Sequence, residues 1–379
     1  MTPSVRRTSQ VGRWSLLEGA GEVSALERGQ DFREPAYRRE VFLRFYEFHT
    51  LHRSHPGCVY YLLPWLAMQL DWNAEQRLWF AFLNGNTQHP ITSLAIMRAF
   101  PAFKGLDESA LRVWFNANYD SLAWDTDRRY HKKDFLRSVA RYVAVVKAIG
   151  GTQWEMFACV SGSDEAKNFR AIWSLVSEHF YSFGRLTTFS YLEYLKISGV
   201  PLECSDLFLG DRSGSKSHRN GLCKVLGRDD LYWHKSNPGF GGRYSKQTVG
   251  WLAEEAEALL SEAKARMPGD DTVSYFTLES ALCTYKSWHK KNRRYPNVYN
   301  DMLFNRIRQS EERLADAGVA SVFWDARQDE VSPHLRVEDC PNDPGLVPGK
   351  QNHYLTTSEV IMMDVEWPEL ANEWNENHA

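Results

Sequence analysis

The spacing of apolar residues constrains this chain more than any other feature. Between residues 36 and 320 large side chains recur at three- and four-residue intervals, while β-branched runs long enough for strands are scarce. In residues 131–149, Phe135, Val139, Tyr142, Val143 and Val146 form one stripe, with Lys132, Lys133, Arg137, Arg141 and Lys147 largely elsewhere. Phe42, Phe45, Tyr46, Phe48 and His49 repeat that spacing. Asn73 caps a helix over 74–83 that Asn84, Gly85 and Asn86 end as a turn, and Pro90 opens another over 91–100. Residues 59–70 are strongly apolar but interrupted by Pro64. Further helices are expected over 107–116, from Ser163 to about His179, and over 185–197, 245–267, 272–291 and 300–317. A mainly α protein follows.

Residues 207–246 break the pattern. They are rich in Gly, Ser, Arg, Lys and His, with only a short helix suggested near 221–226. A long irregular stretch inside a compact chain is usually functional or disordered, and Phe208, Tyr232, Trp233, Phe240 and Tyr244 argue against disorder. The expected organisation is an N-terminal arm over 1–35, a helical domain over 36–320, and an acidic segment over 321–379. The helical domain reads as two lobes, about 36–200 and 245–320, with the basic loop 207–246 between them.

The net charge of −3 argues at face value against a polyanionic partner, yet the charge is unevenly spread. From Asp325 onward twelve acidic residues face three basic ones, which leaves about +6 on the first 324 residues. Residues 128–147 hold seven Lys/Arg against Asp134 alone, 212–246 hold eight against Asp229 and Asp230, and 286–294 hold five against none. Taken singly each is a solvated face; converging in space, they make a footprint for phosphates. Aromatic residues reach 13% of the chain and supply both buried area and stacking faces. The six cysteines include no CxxC pair, which points to a reducing cytoplasm with neither a disulfide framework nor a zinc site. The N-terminal stretch lacks an apolar core, and nothing reaches the roughly 18 apolar residues of a membrane span. A soluble, non-exported protein is expected.

No Walker loop, GxGxxG after a strand, HExxH, GxSxG or zinc-deaminase signature is present, which disfavours the familiar nucleotide, metal and hydrolase classes. Three constellations remain. Around residues 125–133, Arg128, Arg129 and Lys132 can hold a phosphate while Asp127 orients an arginine; alternatively Asp127 caps a helix with a solvated basic first turn. From Gly210 to Leu222, small residues let backbone N–H groups approach an anion, and Ser215, Lys216, Ser217, His218, Arg219 and Asn220 supply further donors. The plain alternative is a flexible surface loop. On a helix, Glu279, Cys283 and Lys286 at i, i+4 and i+7 share a face, where a lysine lowers a thiol pKa and a carboxylate moves protons. A Glu–Lys surface face over a buried cysteine would look the same. Arg293 and Arg294 follow, with Tyr295.

At these places the sequence resembles the phage amino acid:DNA transferase family, related to the α-glutamyl/putrescinyl-thymine pyrophosphorylases and to the helical domain of 5-hydroxymethyluracil DNA kinases. The matching stretches are Asp71, Trp72 and Asn73 on to Trp79, Phe80, Ala81, Phe82 and Leu83, with Phe100 and Pro101; Asp125 to Tyr130; Gly184 and Arg185 on to Tyr191, Leu192 and Glu193; Arg219 to Leu222; and Glu279 to Cys283. Together they span about residues 40–310.

The resemblance implies a DNA-glycosylase-like helical fold carrying the long irregular basic loop as an insertion. It also implies transfer of an amino acid, glycine as first guess, or another amine onto phosphorylated or pyrophosphorylated 5-hydroxymethyluracil in DNA, with release of that leaving group. The partners would be double-stranded DNA containing the activated base, a free amino acid or amine, and other base-modifying enzymes in the cytoplasm of an infected bacterial host, with no membrane. No cofactor is implied, and Mg²⁺ is left open.

In this reading a Cys283 thiolate attacks C6 of the base, with Glu279 or Lys286 managing protons; direct displacement fits equally well. Arg128, Arg219 and Lys216 stabilise the departing phosphates, and Arg185 clamps an amino-acid carboxylate. A base in a duplex must flip, with Trp79, Tyr130, Trp233 or Tyr244 to stack on, although Trp79 sits on the apolar face of its helix. DNA contacts fall to Arg129, Tyr130, Trp233, Tyr244, Arg293 and Arg294. Two other readings compete: a glycosylase-like hydrolase with Glu279, Glu193 or Asp301 as its carboxylate, and a non-catalytic DNA-binding helical module.

Overall fold

A computed structural model describes residues 35–36, 38–125, 128–211, 216–232, 244–288, 298–314, 316–332 and 336. Among them are fourteen α-helices and no strand. They are α1 (Arg38–Leu51), α2 (Val59–Gln69), α3 (Ala74–Thr87), α4 (Pro90–Ala99), α5 (Glu108–Asn118), α6 (Phe135–Ile149) and α7 (Gln153–Ala158), then α8 (Glu165–His179), α9 (Arg185–Ile197), α10 (Lys216–Val225), α11 (Lys246–Arg266), α12 (Tyr275–Trp288), α13 (Val298–Arg313) and α14 (Ala317–Glu330). A 3₁₀ turn, Arg129–Asp134, leads into α6 where a single helix from 131 is expected.

Side-chain caps fix many of the starts. Asn73 with Gln76, and Thr152 with Glu155, form reciprocal capping boxes. Asp107, Asp164, Ser245 and Asp316 each accept a backbone N–H in the first turn of their helices. Two expected breaks are absent. Pro64 lies inside α2 on its exposed side. Asn84, Gly85 and Asn86 do not end α3 but continue it to Thr87. Their burial explains this: Asn86 Nδ2 donates to Phe82 O at 3.0 Å, and Gly85 gives room to the Tyr191 ring, which a Cβ there would approach to 3.2 Å. Turn-forming residues thus serve a helix–helix contact between α3 and α9.

Most of the aromatic content is core. Phe82 stacks on Tyr142 with centroids 3.9 Å apart, and Trp79, Phe103, Phe180, Phe183 and Tyr191 close around them. Trp79 is fully buried with Nε1 donating to Phe100 O, which removes it from the base-stacking candidates. Deleting such a side chain costs about 3–5 kcal/mol.

The long irregular basic loop requires correction. Its residues 216–225 form α10, whose His218, Arg219, Asn220, Leu222 and Cys223 are buried and which packs more extensively against α12 than any other pair of helices. A basic composition concealed an internal helix, because its charges point inward to carbonyls and a carboxylate. At the other end, α14 runs across residue 320 and packs on α13, α4 and α2, so the helical body continues past the expected boundary.

Candidate functional site

One glycine and a helix start bring the charged residues together. Gly221 lets α10 lie so close to α12 that a Cβ would fall 1.9 Å from Leu282 O. This crossing sets His218 against Glu279, with Nδ1 3.0 Å from Oε1. From the first turn of α9, Arg185 places Nη1 3.5 Å from the same oxygen. Arg185 Nη2 and His218 Nε2 both reach Leu207 O, at 3.0 and 2.8 Å. All three side chains are buried. Burial pushes the Glu279 carboxyl upward, but the charges and contacts of His218 and Arg185 outweigh it and hold the group below its ordinary value. Glu279 is the anion of the site.

A second buried carboxyl does the opposite. Glu193, two turns along α9 from Arg185, accepts the Tyr60 hydroxyl proton at 3.0 Å. Burial, reinforced by the Glu279 charge and only partly opposed by Tyr60 and Lys196, pushes it up to about 8. Two carboxyls pushed apart in this way divide into an anion and an acid at neutral pH. Leu207, which ties the cluster, also lines a cavity of about 340 Å³ together with Phe208, Gly210, Val249, Ala256 and Tyr275.

Of the expected site residues, Arg185, His218 and Glu279 meet. Cys283 is one turn past Glu279 on α12 and half-buried. Several others have structural partners. Arg128 is fully buried, with Nε donating to Gly85 O and Nη2 to Leu186 O and Ser190 Oγ at 3.3–3.4 Å. It ties α3 to α9, with no face turned outward to a phosphate. Arg219 donates to Leu209 O and Asp211 O and lies over the Tyr244 ring, 4.6 Å from its centroid. Tyr244 in turn donates to Leu231 O. Both ends of this stack are occupied inside the protein, which argues against Arg219 as a phosphate ligand and Tyr244 as a base platform. Lys132 donates to Leu122 O at 2.7 Å over the Tyr119 ring.

Asn220 is buried, Ser217 half-buried, and Arg129 and Tyr130 are exposed. Asp301 is buried on α13. Asp127, Ser215, Trp233, Arg293 and Arg294 lie outside the described residues, as do the side chains of Lys216 and Lys286.

Sequence reasoning weighed Glu193 only for a hydrolase and missed Tyr60. Glu193 had a signal, being the single charge in the otherwise uncharged run between Arg185 and Lys196. Tyr60 had none, since it belongs to an apolar stretch like any core aromatic. Arg306, which pairs with Asp125 at the end of α3 where Asp125 N donates to Thr87 O, was also not foreseen.

A family model described as amino acid:DNA transferase matches residues 61–295. A serinyltransferase of Salmonella phage ViI is 26% identical over 286 residues, covering 73% of this chain and 68% of that protein. No solved structure matches the chain.

Proposed function

The chain belongs to the amino acid:DNA transferase family, it is a transferase acting on DNA, and from that premise we propose that it joins an amino acid to activated 5-hydroxymethyluracil in DNA, releasing phosphate or pyrophosphate. One observation carries the reading: Arg185, His218 and Glu279, which build the buried charged site, fall within the matched residues 61–295, as do Glu193 and Cys283.

The chemistry needs an electron-poor methylene, a nucleophilic amine and a proton carrier. If the Cys283 thiolate adds to C6, electron density moves to C5 and O4, and the C–O bond to the (pyro)phosphate breaks with its electron pair on the leaving oxygen. The amino-acid nitrogen then bonds to the exocyclic methylene, its proton passes to a base, and the thiolate leaves C6 to restore the ring. Glu193, protonated at neutral pH, can give its proton to the departing phosphate and, once ionised, take the proton of the attacking amine, whereas Glu279 is held as an anion and has no proton to give. Glu279 positions Arg185 and His218. Direct displacement uses the same proton carrier without the thiol. Neither route calls for a cofactor.

The base must leave the duplex to reach such a site. Of the four stacking candidates, Tyr130 is the described one still available, 58% exposed. Glycine and serine are the first donors to test, serine because the phage relative is a serinyltransferase. The test is incorporation of labelled serine or glycine into DNA containing kinase-activated 5-hydroxymethyluracil. Label in the DNA supports the reading, and no label with any amino acid or putrescine overturns it.

A further inference from the structure

One surface gathers exposed cations in a single run. Arg129, Lys133, Arg137 and Arg141 recur every four residues from the 3₁₀ turn Arg129–Asp134 into α6, and all four are exposed. Among the described residues, none of them lies within ion-pair distance of a carboxylate. Elsewhere Arg38, Arg39, Arg44, Arg98, Arg266 and Arg306 are each met by Asp or Glu. Asp134 is the only acid among residues 128–147.

Two of the four are also held in place. Arg137 lies over the Tyr181 ring, 4.2 Å from its centroid, with Nη1 on the hydroxyl at 3.0 Å. Arg141 Nε donates to His179 O at 2.7 Å. Each anchor uses one donor and leaves the rest of a five-donor fork facing outward.

The row begins beside a residue that contacts the helix carrying Arg185. Arg129 follows Arg128, whose guanidinium bonds Leu186 O, the residue next to Arg185. Tyr130, exposed beside Arg129, stands at the same end.

We infer that this row is the track for one strand of duplex DNA, holding the backbone beside the base that the site takes. The row is about 20 Å long at the rises of a 3₁₀ turn and an α-helix. A strand presents a phosphate about every 3.4 Å along the duplex axis, so this length spans about six of them. Contacts of this kind fix position without reading sequence, which suits an enzyme whose target is marked by chemistry. The inference rests on DNA being the substrate, but its test does not need turnover.

The experiment compares three full-length proteins for binding to unmodified duplex at several salt concentrations. They are the wild type, a row variant (Arg129→Gln, Lys133→Gln, Arg137→Gln, Arg141→Gln), and a charge-matched control (Lys104→Gln, Arg112→Gln, Lys246→Gln, Lys264→Gln). All eight substituted side chains are exposed, and thermal melts verify folding. Each phosphate contact contributes about 0.9 to the log–log salt slope. The row variant is expected to lose about 3 to 4 of that slope, and the control less than 1. Equal losses in the two variants, or no loss in the row variant, overturn the track. Incorporation by the wild type with an unchanged slope in the row variant sinks the track alone; a lost slope with no incorporation by the wild type sinks the proposed reaction alone.

Discussion

A Cβ on Gly221 would lie 1.9 Å from the carbonyl oxygen of Leu282. The contact is backbone to backbone, so neither partner can swing aside, and α10 can reach α12 only through a residue without a side chain. Gly221→Ala is therefore expected to separate the helices that join His218 to Glu279. A loss of at least about 4 kcal/mol is predicted, read by chemical denaturation. A variant within 1 kcal/mol of wild type would show that the crossing is looser than described.

Arg128 looks like a phosphate ligand in the sequence and is a structural tie in the fold, donating to Gly85 O, Leu186 O and Ser190 Oγ. Arg128→Met leaves two buried carbonyls short of a charged donor and is expected to cost about 3 kcal/mol. The salt slope of DNA binding should not change. A stable variant with a reduced slope would restore the phosphate role.

Glu193 imposes a pH dependence whose sign follows from its raised folded value of about 8. Above the unfolded carboxyl range the unfolded chain has lost this proton while the folded protein keeps it. The stabilisation is thus complete at low pH and is lost as pH rises towards 8. Buried histidines oppose this at lower pH: His49 and His89, desolvated and lowered to about 3, stay neutral in the fold and withdraw stability as pH falls below their unfolded value near 6.5. Between pH 6.5 and 8 the Glu193 contribution stands clear. Over that window wild type should lose about 2 kcal/mol more than Glu193→Gln, at about 1.4 kcal/mol per pH unit. Parallel stability curves would mean that Glu193 ionises normally.

Cys283 separates the two chemical routes. Cys283→Ala should abolish transfer while leaving the melting temperature and DNA affinity within error, since the side chain is half-buried and the substitution is small. Full transfer by this variant would leave direct displacement as the route.

The helices were legible where local rules decide. Asn73 caps where expected, the helices expected from residue 107 and from Ser163 begin at Glu108 and Glu165, and α9 spans 185–197 as its glycine and proline boundaries suggest. Reading failed where tertiary packing reverses a local preference. Asn84, Gly85 and Asn86 are turn residues in isolation, but burial against Tyr191 and the Asn86–Phe82 bond keep them helical. The segment around Arg219 reads as an anion-binding loop because composition gives charge and not direction. Only the fold shows its guanidinium turned to Leu209 O and the Tyr244 ring. Within the site, Glu279 was found from its helical spacing with Cys283 and Lys286, and Arg185 through the family resemblance. Tyr60 was not, because a tyrosine that donates to a buried acid has the same spacing as one that fills the core.

The central claim is transfer of an amino acid to a base in DNA, and product analysis tests it most directly. Purified protein is incubated with DNA whose 5-hydroxymethyluracil has been activated by a kinase, with serine or glycine supplied, and the DNA is digested to nucleosides for mass spectrometry. The prediction is a thymidine nucleoside carrying the amino acid through its nitrogen on the C5 methylene, with one phosphate or pyrophosphate released for each adduct. A free modified base with abasic DNA, or unchanged activated nucleoside with every amine supplied, would contradict it.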